Sequence, residues 1–507
     1  MLIVIRTKKP TLIFLSRFSA SFICLVLSSF SYIAKAQSFT GYHSSSYTGV
    51  YGILTNPTDI LNHRFRADIN LVGFSTQLNN NLVTFKYKVP DDKDNIVYPN
   101  PITRSGKFNF NADVFGPSFM IRLSDKHALA LTSRGRVMAN VSGIGARLLN
   151  LTVQDSVEAA LINADISVNN LSANAHAWTE FALTYSRQIG ISDYGVWKAG
   201  VSLKYLSGIS AFSLNTNKLA FTFTDSLPGS PVKSDAITNL RGNVVLGYTR
   251  NVDSLNGNIN NYISFTNPGI GLDIGLNYEY RDEMQVYETA YSDRIRNYVW
   301  KAGISITDIG FIRYSKQQSD GFAVTFKGNT YLTDSLKPPD DSTDIHQMVN
   351  FYKNRFNARS EPSAMTMQMP TALHLTYDRF FNKWLGVQAQ VNVPLIFTPS
   401  QFYRGTNNPL SLTVTPRAEI SWCGLYLPMG YNSMSGFTAG LALRLGPLVI
   451  GSGSLINTRF LNRTKSADAY FILRIPFFAY REYKEKTKKD HSRLSKEERK
   501  ALDCPAY

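Results

Sequence analysis

From residue 65 to about residue 480, apolar and polar positions alternate with a period of two, and helical periodicity is rare. Phe65, Ala67, Ile69 and Leu71 alternate with Arg66, Asp68 and Asn70. Val83, Phe85, Tyr87 and Val89 alternate with Thr84, Lys86 and Lys88. A strand whose polar face carries Arg, Asp or two Lys presents that face to water, while its other face needs apolar surroundings. The pattern returns in pairs joined by short polar turns. Phe119, Ile121 and Leu123 run into Ser124-Asp125-Lys126-His127 and a strand with Leu129 and Leu131. Phe181, Leu183 and Tyr185 precede Gly190 to Gly195, after which Trp197, Ala199, Val201, Leu203 and Tyr205 alternate with Lys198, Gly200, Ser202 and Lys204. These predict antiparallel hairpins. Ile270, Leu272, Ile274, Leu276, Tyr278 and Tyr280 form one such face of about the length at which a tilted strand crosses a bilayer. Two-faced strands recur at 300–306, 385–393 and 437–445.

Connections alternate in length over the second half: Asp308-Ile309-Gly310 and 379–383 read as short turns, and 281–296, 328–370 and 395–410 as long polar loops. Tyr and Trp often cap the strands (Tyr87, Trp197, Tyr280, Trp300, Tyr377, Trp384, Trp422), as in an interfacial aromatic girdle. The pattern predicts an all-β fold: a transmembrane antiparallel β-barrel of about 14–16 strands, the number depending on whether Gly116-Pro117 bends one strand or separates two. A soluble sandwich is the alternative, but it does not ordinarily need so many long strands.

The ends of the chain set its address. Residues 1–36 have a cationic start, an apolar run from Phe18 to Ile33, and Ala34-Lys35-Ala36, which predicts a secretory signal peptide cleaved between Ala36 and Gln37. Of the 507 residues, 53 are Lys or Arg and 37 are Asp or Glu, a formal charge of +16. The leader holds five of those cations and no acid, so the excess is less a sign of nucleic acid than it first looks. Three cysteines, one of them in the leader, are too few for a disulfide-stapled scaffold. Residues 37–64, rich in Ser, Tyr and Gly with the turn Asn56-Pro57, read as a plug in the lumen or a loose lead-in to a barrel at 65–480. Residues 146–164 carry the one strong helical pattern of the long loops. Residues 481–507, basic and of mixed charge with a capping box at Ser495-x-x-Glu498, form a periplasmic tail, either a solvated segment or a docking site for an envelope partner.

No phosphate-cradling loop, His-Glu-x-x-His or Cys-x-x-Cys is present in the sequence, and its seven histidines are scattered. We therefore expect no enzyme, catalytic residues, cofactor or bound metal. Gly271, Asp273 and Gly275 fall on one strand face, where the glycines give a wall room. The candidate lumen-lining residues are Arg66, Asp68, Lys86, Lys198, Lys204, Asp273, Glu279, Lys301 and Arg444.

The segments 268–275 (Pro-Gly-Ile-Gly-Leu-Asp-Ile-Gly), 301–310 (Lys-Ala-Gly-Ile-Ser-Ile-Thr-Asp-Ile-Gly), Met369-Pro370-Thr371-Ala372-Leu373 and 446–451 (Gly-Pro-Leu-Val-Ile-Gly) resemble the signatures of an uncharacterised outer-membrane barrel family of Bacteroidota. That family is similar to long-chain fatty-acid transporter barrels (FadL-like) and, more remotely, to the shuttle barrel of type IX secretion. The resemblance implies an outer-membrane location and a plug around Asn56-Pro57, where Thr58 replaces the transporters' usual Ala. Its signatures are structural and bring no catalytic residue. The functional expectation is binding or passage of a hydrophobic or small amphipathic solute. The alternative is an accessory subunit of an outer-membrane secretion or assembly complex. Partners expected are outer-membrane lipid, such a solute and envelope proteins at the tail, with no nucleic acid.

Overall fold

The computed structural model describes residues 39–478 apart from residues 63, 83, 86–95, 98–105, 125, 146–161, 193, 226–234, 251–266, 282–297, 316, 318, 339–344, 361–364, 383, 396–403 and 461–463. Signal cleavage at Ala36-Gln37, the tail 481–507, Lys86 and nearly all of the helical segment 146–164 lie outside the described residues.

The strands form one antiparallel sheet of 22 segments. Several segments are pieces of one interrupted strand, because they share the same neighbours. Followed by hydrogen-bonded partners, the ring has fourteen positions: β1 (Phe65–Asn80), β2 (Gly106–Phe115 and Ser118–Ser124), β3 (His127–Ile144), β4 (Asp165–Val168 and Ser172–Ile191), β5 (Gly195–Thr224), β6 (Ala236–Thr249 and Pro268–Tyr280), β7 (Trp300–Tyr314 and Ser319–Leu332), β8 (Arg359–Ser360, Met365–Gln368 and Ala372–Phe380), β9 (Leu385–Pro394), β10 (Ser411–Glu419), β11 (Cys423–Tyr426 and Met429–Asn432), β12 (Gly436–Ala439 and Leu441–Leu445), β13 (Leu448–Ser452) and β14 (Ser466–Phe478). β14 pairs with β1 from Phe65↔Phe478 to Asn79↔Ser466, which closes the ring. Gly116-Pro117 bends one strand, since both parts of β2 pair with β1 and with β3.

The wall's outer face is apolar around the ring: Leu131, Leu183, Leu203, Ile270, Ile304, Leu412, Leu425, Ile450 and Phe471 are all exposed. A belt of this extent far exceeds the patches a water-soluble protein tolerates, and a closed sheet satisfies its backbone without water, so the barrel spans a membrane. At the turn end, Trp197, Tyr280, Trp300, Tyr377, Trp384 and Trp422 collect; Tyr280 stacks on Trp300 with centroids 5.5 Å apart, and Trp300 on Tyr377 at 6.1 Å. Among the described residues, no helix is long and apolar enough to cross a membrane.

At the opposite end the upper halves of β5, β6 and β7 extend beyond the ring. Phe212, Leu246, Tyr248 and Phe322 pack there against helix α1 (Ile345–Arg355) through Ile345, Val349 and Tyr352. Phe221, Phe223, Ile237 and Phe326 form a neighbouring core with Ile166 of β4.

The structure corrects four readings of the alternation. The parity at 65–71 is broken by a bulge between Phe65 and Ala67. Phe65 therefore turns inward and is fully buried, while Arg66 is exposed at the rim rather than lining the lumen. Thr84–Phe85, the described part of the pattern at 83–89, pairs with Ile96–Val97 in a separate two-stranded sheet rather than in the wall. Asp308-Ile309-Gly310 is not a turn but lies within β7, at a register shift where Asp308 adopts a left-handed φ of 57°. Tyr280, from which the 281–296 connection departs, pairs with Gly195 beside the β4–β5 turn and so stands at the short-turn end.

Candidate functional site

Residues 39–62 lie inside the barrel as three consecutive 3₁₀ turns, Tyr42–Ser44, Gly49–Leu54 and Pro57–Leu61. Their apolar side chains, among them Phe39, Tyr42, Val50, Tyr51 and Ile60, form one buried cluster with the inward residues Phe115, Met120, Tyr426, Val449 and Ile472 of the wall. Polar groups fix the register. Asp68 Oδ2 accepts the Val50 N–H at 3.0 Å, Glu419 accepts the Ser46 N–H at 3.0 Å and the Ser45 hydroxyl at 2.8 Å, and the Ser305 hydroxyl donates to Thr55 O at 2.5 Å. The Tyr51 hydroxyl donates to Asn70 Oδ1 at 2.7 Å, and burial holds its phenol above the ordinary range, so it stays a neutral donor.

The turn Asn56-Pro57 sits against a bare strip of wall. Asn56 caps the third 3₁₀ turn through its Oδ1, which accepts from Thr58 N at 3.0 Å, and its Nδ2 donates to Asn277 Oδ1 at 2.9 Å. Pro57 O accepts from the Ser186 hydroxyl at 2.6 Å. Gly200 and Gly275 make this approach possible: a Cβ on Gly275 would lie 2.1 Å from Asn56 Oδ1, and one on Gly200 2.7 Å from Thr58 N.

Ion pairs occupy the rest of the lumen at this level. Lys198 pairs with Glu279 at 2.6 Å and also reaches Asn62; Lys301 pairs with Asp59 of the plug at 3.0 Å. Arg417 takes both oxygens of Asp378 at 2.9 and 3.0 Å, and Arg474 meets Asp68 at 3.2 Å beneath Tyr47 O. Arg444 is fully buried and donates to the carbonyls of Ile420, Ser421 and Cys423. Higher up, Arg136 and Lys204 both grip Asp308 at 2.7 Å; Lys204 also holds Asp273 at 2.8 Å, and Arg134 holds Asp113 at 2.8 Å. Of the nine lumen-lining candidates, Asp68, Lys198, Lys204, Asp273, Glu279, Lys301 and Arg444 therefore project inward with buried side chains. Sequence reasoning missed Asp59, Asp113, Arg134, Arg136, Glu180, Asp308, Asp378, Arg417, Glu419 and Arg474.

Two spaces adjoin this network. Between the plug and the segment 404–410 lies a polar chamber of about 110 Å³. It is lined by Thr55, Arg134, Arg136, Asp308, His374 and Gln390 among others. The segment above it is tied to the far wall, where Asn407 O accepts from Asn109 and Asn140 at 3.1 and 2.8 Å. On the membrane-facing side a groove of about 1,050 Å³ runs over Leu131, Leu183, Leu203, Ile270 and Phe311. Its floor contains Gly271 and Gly310, paired across β6 and β7, and Lys204. Lys204 lines the groove and Asp308 lines the chamber, and the two are joined by an ion pair at 2.7 Å. Among the described residues no group of three His, Cys, Asp or Glu side chains is placed to hold a metal ion.

Residues 57–453 match the family described as "Family of unknown function (DUF5723)". The chain belongs to that family. This DUF5723 member matches no curated protein sequence. Among solved structures it is similar to a FadL homologue of Pseudomonas aeruginosa and to the toluene transporter TbuX of Ralstonia pickettii. Each aligns at 12% identity with a TM-score of 0.39 over 88% of this chain, covering 99% and 98% of the other chain. The translocator domain of the autotransporter NalP from Neisseria meningitidis aligns at 6% identity, TM-score 0.29, over 80% of this chain and 88% of its own.

Proposed function

We propose that this DUF5723 chain is a non-enzymatic outer-membrane barrel that binds a hydrophobic or small amphipathic solute and passes it through the wall rather than along the axis. The axis is filled: the plug and its ion pairs occupy the turn end, and the segment 404–410 crosses above the chamber. The observation that carries the reading is the groove of about 1,050 Å³, apolar on its lipid side and floored by two facing glycines. An open groove of that size, mostly apolar with a few polar groups at its floor, suits an apolar molecule lying against the wall. Among the described residues its one lining cation, Lys204, is already neutralised by two carboxylates and does not demand a charged ligand.

A second reading, an accessory subunit of a secretion or assembly complex, is favoured by the lumen's filling of paired charges, which suits a structural barrel as well as a gated one. Reconstitution separates the two. Vesicles holding the full chain should accumulate an apolar fluorescent solute faster than empty vesicles while remaining closed to sugars. The variant Ile270→Trp, which fills the groove from the lipid side, should abolish that uptake. Equal uptake by empty vesicles and by both proteins would refute the transport reading.

A further inference from the structure

On the loop-end side of Arg136 the lumen wall changes from charged to soft. Four of the chain's ten methionines meet there. Met365 and Met367 of β8, and Met369 just after that segment, follow at alternate positions and are each buried to 2% exposure or less, while Thr366 is exposed. The chain thus sends three thioethers inward in succession. Met138 on β3, also fully buried, belongs to the same packed cluster, together with Trp178 and Tyr314. Tyr314 is the cross-strand partner of Met365, and Met138 that of His176.

Methionine alone is an ordinary filler of irregular cores. The imidazole of His176 goes beyond that. It is 1% exposed, its ring lies 4.6 Å from Trp178 of the cluster, and its Nε2 is 3.0 Å from the Tyr314 hydroxyl. The tautomer sets which of Nε2 and the phenol oxygen donates in this contact, and Nδ1 is the remaining ring nitrogen. Among the described residues that Nδ1 has no hydrogen-bond partner. A buried ring nitrogen without a partner is unusual and calls for an explanation.

Charge narrows what could occupy the cluster. Its donors are neutral: thioethers and an imidazole. The nearby carboxylates, Asp113, Glu180 and Asp308, are committed to Arg134, Arg136 and Lys204. Arg136 itself reaches Met138 Sδ at 3.8 Å, which disfavours a doubly charged ion. Calcium and magnesium need hard oxygen ligands, and zinc sites normally supply at least one thiolate, carboxylate or set of imidazoles. Soft thioethers select cuprous ion.

We propose that Met138, Met365, Met367, Met369 and His176 form a binding site for a soft monovalent metal ion of the Cu(I) type. The proposal does not depend on the solute reading of the groove. The test uses the full chain in detergent with all cysteines replaced by serine, titrated with Ag(I) as a redox-inert probe and with Cu(I) under anaerobic conditions against a chromophoric competitor. One equivalent should bind, with sulfur and one nitrogen in the first shell by X-ray absorption, and excess Zn(II) should not displace it. Met365→Leu/Met367→Leu nearly conserves volume and should leave the barrel folded, while weakening binding by about tenfold or more. His176→Gln should remove the nitrogen from the spectrum. If the folded wild-type chain binds no Ag(I) stoichiometrically, or holds it through oxygen, or binds it equally well in the methionine variant, the proposal is overturned. The absorption measurement on the wild type decides the case even if a variant fails to fold.

Discussion

Replacing Gly275 by Ala places a methyl carbon 2.1 Å from Asn56 Oδ1, 2.9 Å from its Cγ and 3.0 Å from Pro57 Cδ. The wall strand itself tolerates, and on intrinsic grounds prefers, Ala over Gly. The strain therefore falls on the plug. Restoring an ordinary contact moves the Asn56 turn by about 1 Å, enough to break bonds that are already near the usual 2.7–3.2 Å range. Three plug–wall bonds are at stake: Asn56 Nδ2 to Asn277 Oδ1 at 2.9 Å, the Ser186 hydroxyl to Pro57 O at 2.6 Å and the Ser305 hydroxyl to Thr55 O at 2.5 Å. At about 1 kcal/mol each the docked plug loses about 3 kcal/mol. That corresponds to roughly a hundredfold shift toward the undocked state. The assay is modification of Val50→Cys, a fully buried plug position, by a membrane-impermeant maleimide in an otherwise cysteine-free barrel. Gly275→Ala should speed labelling by about two orders of magnitude. Gly135→Ala, whose new methyl meets nothing within 4 Å, should leave it unchanged. Equal rates in all three proteins would refute the claim that the glycine strip seats the plug.

Other variants probe the wall. Arg417→Met removes the partner of Asp378 and Glu419 in a site with no solvent exposure and should lower stability by about 3–5 kcal/mol, seen as a lower temperature for the loss of the compact gel band; an unchanged transition would contradict the buried pairing. Leu203→Arg, at a position 61% exposed on the outer face, should cost about 2–4 kcal/mol in folding titrations in lipid vesicles if Leu203 lies near the bilayer midplane. No change there would mean that the face does not meet lipid. Lys204→Met removes the groove cation paired with Asp308 of the chamber and should raise vesicle permeability to small polar solutes; retained tightness would show that the ion pair is not the barrier.

The two-faced strands were plain in the sequence because each wall residue meets either lipid or lumen, and the turn at Asn56-Pro57 was marked by its own chemistry. The readings that failed did so where that rule is suspended. At 65–67 a bulge inverts the parity, so Arg66 swings out and Phe65 swings in. Asp308-Ile309-Gly310 has the composition of a turn, yet its left-handed aspartate serves a bulge that aims a carboxylate at Arg136 and Lys204. β5 was legible only over its first half. From Leu206 to Phe212 successive residues are buried on both faces, and the alternation disappears.

Charges such as Arg134, Arg136 and Arg474 could have been found, since each sits at an inward position of an otherwise alternating strand. Arg417 and Glu419 share one face two residues apart. Which carboxylate each cation meets depends on strands distant in sequence and could not be read from local pattern.

The central claim is that a single plugged barrel carries an apolar solute in its flank. The most direct test is gentle-detergent extraction of a tagged chain, followed by mass spectrometry of the bound small molecules and co-purifying proteins, for the wild type and for Ile270→Trp. The account predicts a lone barrel carrying an apolar molecule that the tryptophan variant lacks. A barrel free of such molecules in both forms and bound to stoichiometric protein partners would contradict it.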